Sequence, residues 1–142
     1  MKNLILSLFC MLIGSAAFAQ SPIGVWKTVD DETGQAKSHV EITEKNGKLY
    51  GKVIKILTPG KENAVCDKCS DQRKNKPILG MEILTGVKKD GKKKWDDGKI
   101  LDPNKGKTYD VSIEVVEADK LKVRGYMGVS MLGRTQYWQR VK

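Results

Sequence analysis

The sequence has little of what catalytic and metal sites are usually made from. His39 is its only histidine, and it has three cysteines. His39 has no serine or cysteine nucleophile in a recognisable setting. It reads as a plain surface or lumen histidine rather than a catalytic base. No segment keeps a helical period with caps at its ends. That argues against a helical bundle and leaves no recognition helix for nucleic acid. Long apolar runs are also missing. The one conspicuous stretch, Leu4 to Ile13, is broken by Ser7 and too short to span a bilayer.

That stretch follows Lys2 and precedes the small-x-small site Ala17-Phe18-Ala19. The pattern predicts a secretory signal peptide over 1–19, cleaved after Ala19. Cys10 lies within the run behind Phe9, where lipid attachment would want a small residue. Residues 20–142 are then expected to form one exported domain with no transmembrane segment, in the periplasm or outside the cell. A chain of that size can bury a core without leaning on disulfides.

Acidic residues are outnumbered. There are 26 Lys and Arg against 17 Asp and Glu, a formal charge of +9. The lysines are spread along the chain, and the densest cluster, Lys88 to Lys94, straddles a turn. This favours a solvated surface over a polyanion site.

What the sequence does have is alternation. Tyr109, Val111, Ile113 and Val115 are apolar, with Thr108, Asp110, Ser112 and Glu114 between them. A period of two marks a strand with one dry and one wet face. The turn Asp102-Pro103-Asn104-Lys105-Gly106 precedes it. Reading outward from this stretch predicts strands at 23–29, 38–44, 48–57, 81–88, 94–101, 108–117, 120–127 and 134–141. Asn46-Gly47 and Asp90-Gly91 are hairpin turns. The alternation slips near Ile54, as at a bulge. Residues 58–79 are expected to be a long loop, with a helical turn near Ser70 to Lys74. The fold class is all-β: an eight-stranded antiparallel meander closed into a barrel, since closure removes both sheet edges. A two-sheet sandwich is the alternative.

Few residues stand out chemically. With Cys10 gone, Cys66 and Cys69 are the only cysteines of the exported chain, and a disulfide is the favoured reading. A redox C-x-x-C and half a zinc site, helped by Asp67 or Asp71, stay open. Asp96, Asp97 and Asp102 flank turns and read as local caps of backbone amides rather than an acid–base pair. Gly24-x-Trp26, with Arg124 or Arg140, resembles the lipocalin arrangement of a tryptophan under an arginine at the closed end of a barrel.

Seven blocks then come in order: G-V-W-K-T at 24–28, N-G-K-L-Y-G-K-V at 46–53, C-D-K-C at 66–69, K-P-I-L-G-M-E-I-L at 76–84, G-K-I-L-D-P-N-K-G-K-T-Y at 98–109, L-K-V-R-G-Y-M-G at 121–128 and G-R-T-Q-Y-W-Q-R at 133–140. Together they resemble a family of small exported bacterial proteins, domain of unknown function 2147. The resemblance implies a lipocalin-like β-barrel in the cell envelope. It brings no substrate, reaction or cofactor, so no catalytic residue carries over. The matching positions to test first for binding are Trp26, Asp102, Tyr109, Arg124, Tyr126, Arg134 and Trp138. The leading expectation is non-catalytic binding of a small apolar or amphipathic ligand in the barrel mouth. One alternative is an envelope interaction protein using its basic surface and the 58–79 loop. The other is a thiol-redox or acid–base enzyme.

Overall fold

A computed structural model describes residues 21–128 and 132–142. The expected signal peptide and part of the 128–133 loop lie outside the described residues. Eight strands follow one another: β1 Gly24–Val29, β2 Ala36–Lys45, β3 Lys48–Ile56, β4 Glu82–Lys89, β5 Lys94–Asp102, β6 Lys107–Glu117, β7 Lys120–Tyr126 and β8 Gly133–Arg140. Each pairs with the next, and β8 returns to β1, so the sheet is a closed barrel. The seam is short. Its register pairs are Trp26 with Arg140 and Lys27 with Gln139.

Local chemistry explains the hairpins. Asn46 and Gly47 both have positive φ, 53° and 75°, as a tight turn matched to strand twist requires. Asp90-Gly91 opens a wider loop over 90–93, which the Asp90 amide closes by donating to the Lys94 carbonyl at 2.8 Å. The slip near Ile54 is a bulge. Val40 faces Val53 and His39 faces Lys55, which leaves Ile54 unpaired.

A second bulge lies in β5. Trp95 faces Ile113 and Gly98 faces Val111, so Asp96 and Asp97 stand together opposite Ser112. These two aspartates are therefore in a strand rather than beside a turn. The chain from Leu57 to Met81 carries one isolated bridge, Val65 to Pro77. The helical turn expected near Ser70 to Lys74 is a run of turns. The Asp71 side chain accepts from the Arg73 amide at 2.8 Å, and its carbonyl accepts from the Lys74 amide at 3.1 Å.

A meander gives a barrel two unlike ends. Turns 46–47, 90–93 and 118–119 lie at one end. The connections 30–35, 57–81 and 103–106 lie at the other. At the first end Trp26, Ile42, Leu49, Val87, Val115 and Leu121 are fully buried and fill the lumen. Each such side chain contributes about 1.5–3 kcal/mol of burial. This plug makes the lower half of the barrel solid.

Candidate functional site

The floor is closed by a stack. The Arg140 guanidinium lies over the Trp26 ring, 4.3 Å from its centroid. It also donates to the carbonyls of Ser21, Ile23 and Ala118 at 2.6, 2.8 and 2.9 Å. The Trp26 indole donates to the Pro22 carbonyl at 2.7 Å. Gly24 lets the arginine pass, since a Cβ there would sit 2.6 Å from Arg140 Nη1. Of the two arginines open at the sequence level, Arg140 makes the contact. Arg124 lies on the outer surface of β7, between the inward Val123 and Gly125, and donates to Thr135 Oγ1 at 3.0 Å.

Above the floor the lumen opens. A cavity of about 1270 Å³ runs from the buried core to solvent at the loop-rich end. Its walls include Val53, Ile56, Ile78, Ile83, Ile100 and Leu101. Trp138 and Tyr109 also border it. The polar groups deep inside are mostly satisfied. Thr28 and Ser38 hydroxyls share a hydrogen bond of 2.8 Å, and Gln136 accepts from the Trp138 indole at 3.3 Å. Among the described residues the Tyr109 hydroxyl has no partner, so it is a wall group with a free hydrogen-bonding end.

The lip is held by a clasp between two distant pieces of sequence. Cys66 and Cys69 form a disulfide, and both are buried. Bonded to each other, neither is a thiolate. The loop they close rests on the β5–β6 turn. Cys66 Sγ lies 3.5 Å from the Pro103 carbonyl, and a Cβ on Gly106 would fall 2.0 Å from the Lys68 carbonyl oxygen. The turn itself is capped by Asp102, whose carboxylate accepts from the amides of Asn104 and Lys105 at 2.9 and 3.3 Å. Asp102 thus has the local capping role that its turn composition suggested.

Charged pairs line the other side of the lip. Arg134 forks onto Asp31 at 2.7 and 2.9 Å and reaches Glu32 at 2.9 Å. That ties β8 to the β1–β2 loop across the seam. Hydrogen bonding to Asp31 raises the arginine pKa further above its ordinary value. Lys37 pairs with Asp30 at 2.7 Å. This lysine, together with the Thr33 and Glu32 amides, holds the Asp30 carboxyl far below the usual carboxylate range.

Five of the seven positions singled out from the sequence border the cavity: Asp102, Tyr109, Tyr126, Arg134 and Trp138. Trp26 lies beneath it and Arg124 outside it. Tyr126 touches the lip, but its hydroxyl turns outward to Asp96 at 3.1 Å. Burial, then the Asp96 carboxylate, keep its proton on. Asp97 pairs with Lys88 at 3.4 Å. His39 points outward between Lys27 and Lys55, its neighbours in register. Sequence reasoning did not pick out the isoleucine walls. The one available signal was the pairs of adjacent apolar residues, Ile83-Leu84 and Ile100-Leu101, at the strand ends nearest the mouth.

The chain matches, over residues 24–140, a family described as an uncharacterized protein conserved in bacteria, DUF2147. The protein belongs to the DUF2147 family. Two of the family-like blocks meet in the clasp at the mouth, C-D-K-C and L-D-P-N-K-G, and G-V-W-K-T forms the floor. Among solved structures the chain is similar to protein HP1028 from the human pathogen Helicobacter pylori, described as belonging to the lipocalin family. The two are 24% identical with a TM-score of 0.76, over 86% of this chain and 84% of that one. At this identity the likeness is one of fold, an eight-stranded lipocalin-like barrel. The chain is also similar to a redesigned β-barrel, 15% identical with a TM-score of 0.48, over 84% of this chain and 91% of that one. No curated protein matches the sequence.

Proposed function

We propose that this protein is an exported, non-catalytic carrier that holds a small apolar or amphipathic ligand in the mouth of its barrel. One observation carries the reading: a cavity of about 1270 Å³, open at one end and walled by aliphatic side chains, above a packed floor. Sites for small molecules commonly measure about 300–1,000 Å³ and favour barrel mouths, so a drug-sized ligand has room. Its body is apolar, to match the aliphatic wall, where the Thr28 and Ser38 hydroxyls bond to each other and Gln136 accepts from the Trp138 indole. A single polar group on the ligand meets the free Tyr109 hydroxyl or the charged lip. Export rests on the signal-peptide pattern of residues 1–19, and the Cys66–Cys69 bond suits an oxidising compartment.

Trp138 offers the test. It borders the cavity, whereas Trp26 and Trp95 do not. Titration with a spin-labelled long-chain fatty acid is expected to quench tryptophan emission saturably. Trp138→Phe should remove most of that quenching while calorimetry still reports binding. Absence of saturable quenching and of binding heat, up to the solubility limit of the probe, overturns the proposal.

A further inference from the structure

The closed end of the barrel gathers lysines that the sequence holds apart. β2 ends at Lys45, β3 starts at Lys48 and β4 ends at Lys88-Lys89. In register Lys45 faces Lys48, and Lys48 faces Lys88. Three ammonium-bearing side chains therefore stand in a row across three strands. Lys92 and Lys93 in the next loop and Lys94 at the start of β5 extend the row. All of these are exposed except Lys48, which is half-buried.

The acidic groups of the same corner are Glu44, Asp90, Asp96, Asp97 and Glu114; Asp96 stands across from Lys88 and accepts from the Tyr126 hydroxyl at 3.1 Å. Asp97 pairs with Lys88 at 3.4 Å. Glu114 stands across from Lys94 and also from Lys122. Among the described residues none of the other lysines in the corner has an ion pair.

Folding does not ask for this arrangement. Like charges directly opposite each other weaken a strand pair. Lysines often guard an open sheet edge against further pairing, but this barrel is closed and has no edge to guard. A partner rich in negative charge accounts for the row.

We propose that the closed end docks on an anionic lipid bilayer, with Lys45, Lys48, Lys88, Lys92, Lys93 and Lys94 against the headgroup phosphates. The patch consists of lysines, mobile point charges suited to a dense field of phosphates, and lacks the planar fork of arginine. Among the described residues it has no exposed aromatic ring of the kind that stacks on single-stranded bases; Trp95 is buried, and Tyr50, two residues from Lys48 in β3, is half-buried. The floor then lies on the membrane and the mouth faces away from it. This inference stands apart from the carrier reading, because it uses none of the cavity residues.

The test is flotation of the purified protein with phosphatidylcholine vesicles, with and without one-third phosphatidylglycerol. Binding is expected only with phosphatidylglycerol and should fall steeply as salt rises. Each lysine near such a surface strengthens partitioning about fivefold. The triple variant Lys45→Gln, Lys48→Gln, Lys93→Gln should therefore bind about a hundredfold more weakly. It should fold normally by near-ultraviolet circular dichroism, since it loses a repulsive row. A control triple at the mouth, Lys61→Gln, Lys68→Gln, Lys105→Gln, should bind vesicles within about threefold of the parent. Equal losses in the two triples, no binding to anionic vesicles, or tighter binding to a salt-matched single-stranded oligonucleotide overturns the proposal.

Discussion

Replacing Gly106 by alanine tests how the mouth is built. Gly106 has φ +66°, and its missing side chain leaves room for the Cys66–Cys69 loop. An added Cβ would meet the Lys68 carbonyl oxygen at 2.0 Å and its carbon at 2.2 Å. Both atoms are backbone, so neither can swing away. Gly47 provides the control, because it has φ +75° and nothing within 4 Å of a built Cβ. Gly47→Ala therefore meets only the left-handed backbone penalty, about 1–2 kcal/mol. Gly106→Ala adds overpacking of about 1–3 kcal/mol, for a loss of roughly 2–5 kcal/mol. Urea unfolding at neutral pH, with the slope checked for constancy, measures both. Combining Gly106→Ala with Cys66→Ser and Cys69→Ser should recover part of the loss, because an unlinked loop can move off the turn. If Gly106→Ala and Gly47→Ala are equally destabilised, the loop does not rest on the turn and the clasp is wrong.

Three other outcomes follow from named contacts. Arg140→Ala should lose roughly 2–4 kcal/mol, since it removes the stack on Trp26 and three charge-assisted donors to carbonyls; a thermal or urea melt reads it, and a loss under about 0.5 kcal/mol contradicts the floor. Burial, then Lys55 and Lys27, hold the His39 imidazole below its ordinary 6.5. The unfolded chain therefore binds the proton more readily, and stability falls as pH drops through the window just below 6.5. His39→Gln should flatten the stability profile between pH 7.5 and 5.5. Cys66→Ser with Cys69→Ser should lose about 2 kcal/mol and speed hydrogen exchange at the Asn75 and Ile78 amides, which donate within the loop. Unchanged exchange there refutes the staple.

Much of the wall was legible because it is a local property. The alternation from Tyr109 to Val115 names the inward face directly, and Asn46-Gly47 carries its turn in its own backbone preferences. The bulge at Ile54 was visible as a break in that alternation. Alternation could also have separated the two arginines. With Leu121 and Val123 facing in, Arg124 must face out, whereas Arg140 stands at a strand end and can fold over the floor.

What was not legible depends on residues far apart in sequence. Nothing near Gly106 announces Lys68, and Asp96-Asp97 reads as flanking a turn, with no sign of the bulge, until Gly98 is seen against Val87. A face pattern says which side chains point inward, but not how far up the barrel they reach across. So the solid floor and open mouth could not be told apart in advance. The lysine cluster at 88–94 was plain, but its alignment with Lys45 and Lys48 needed the register of three strands.

The most direct test of the carrier account is to fill the mouth without touching the floor. The atoms nearest a Cβ on Gly125 would be those of Tyr109 at 3.5 and 3.8 Å and Ile100 at 3.8 Å, which is ordinary contact, so a larger side chain there grows into the cavity. Calorimetric titration of Gly125→Phe with the spin-labelled fatty acid should show binding at least about tenfold weaker than the parent, a difference of about 1.4 kcal/mol. Lys122→Phe, on the outer surface of the same strand, should bind as the parent does. Parent-like affinity in a folded Gly125→Phe would mean that the ligand does not enter the barrel.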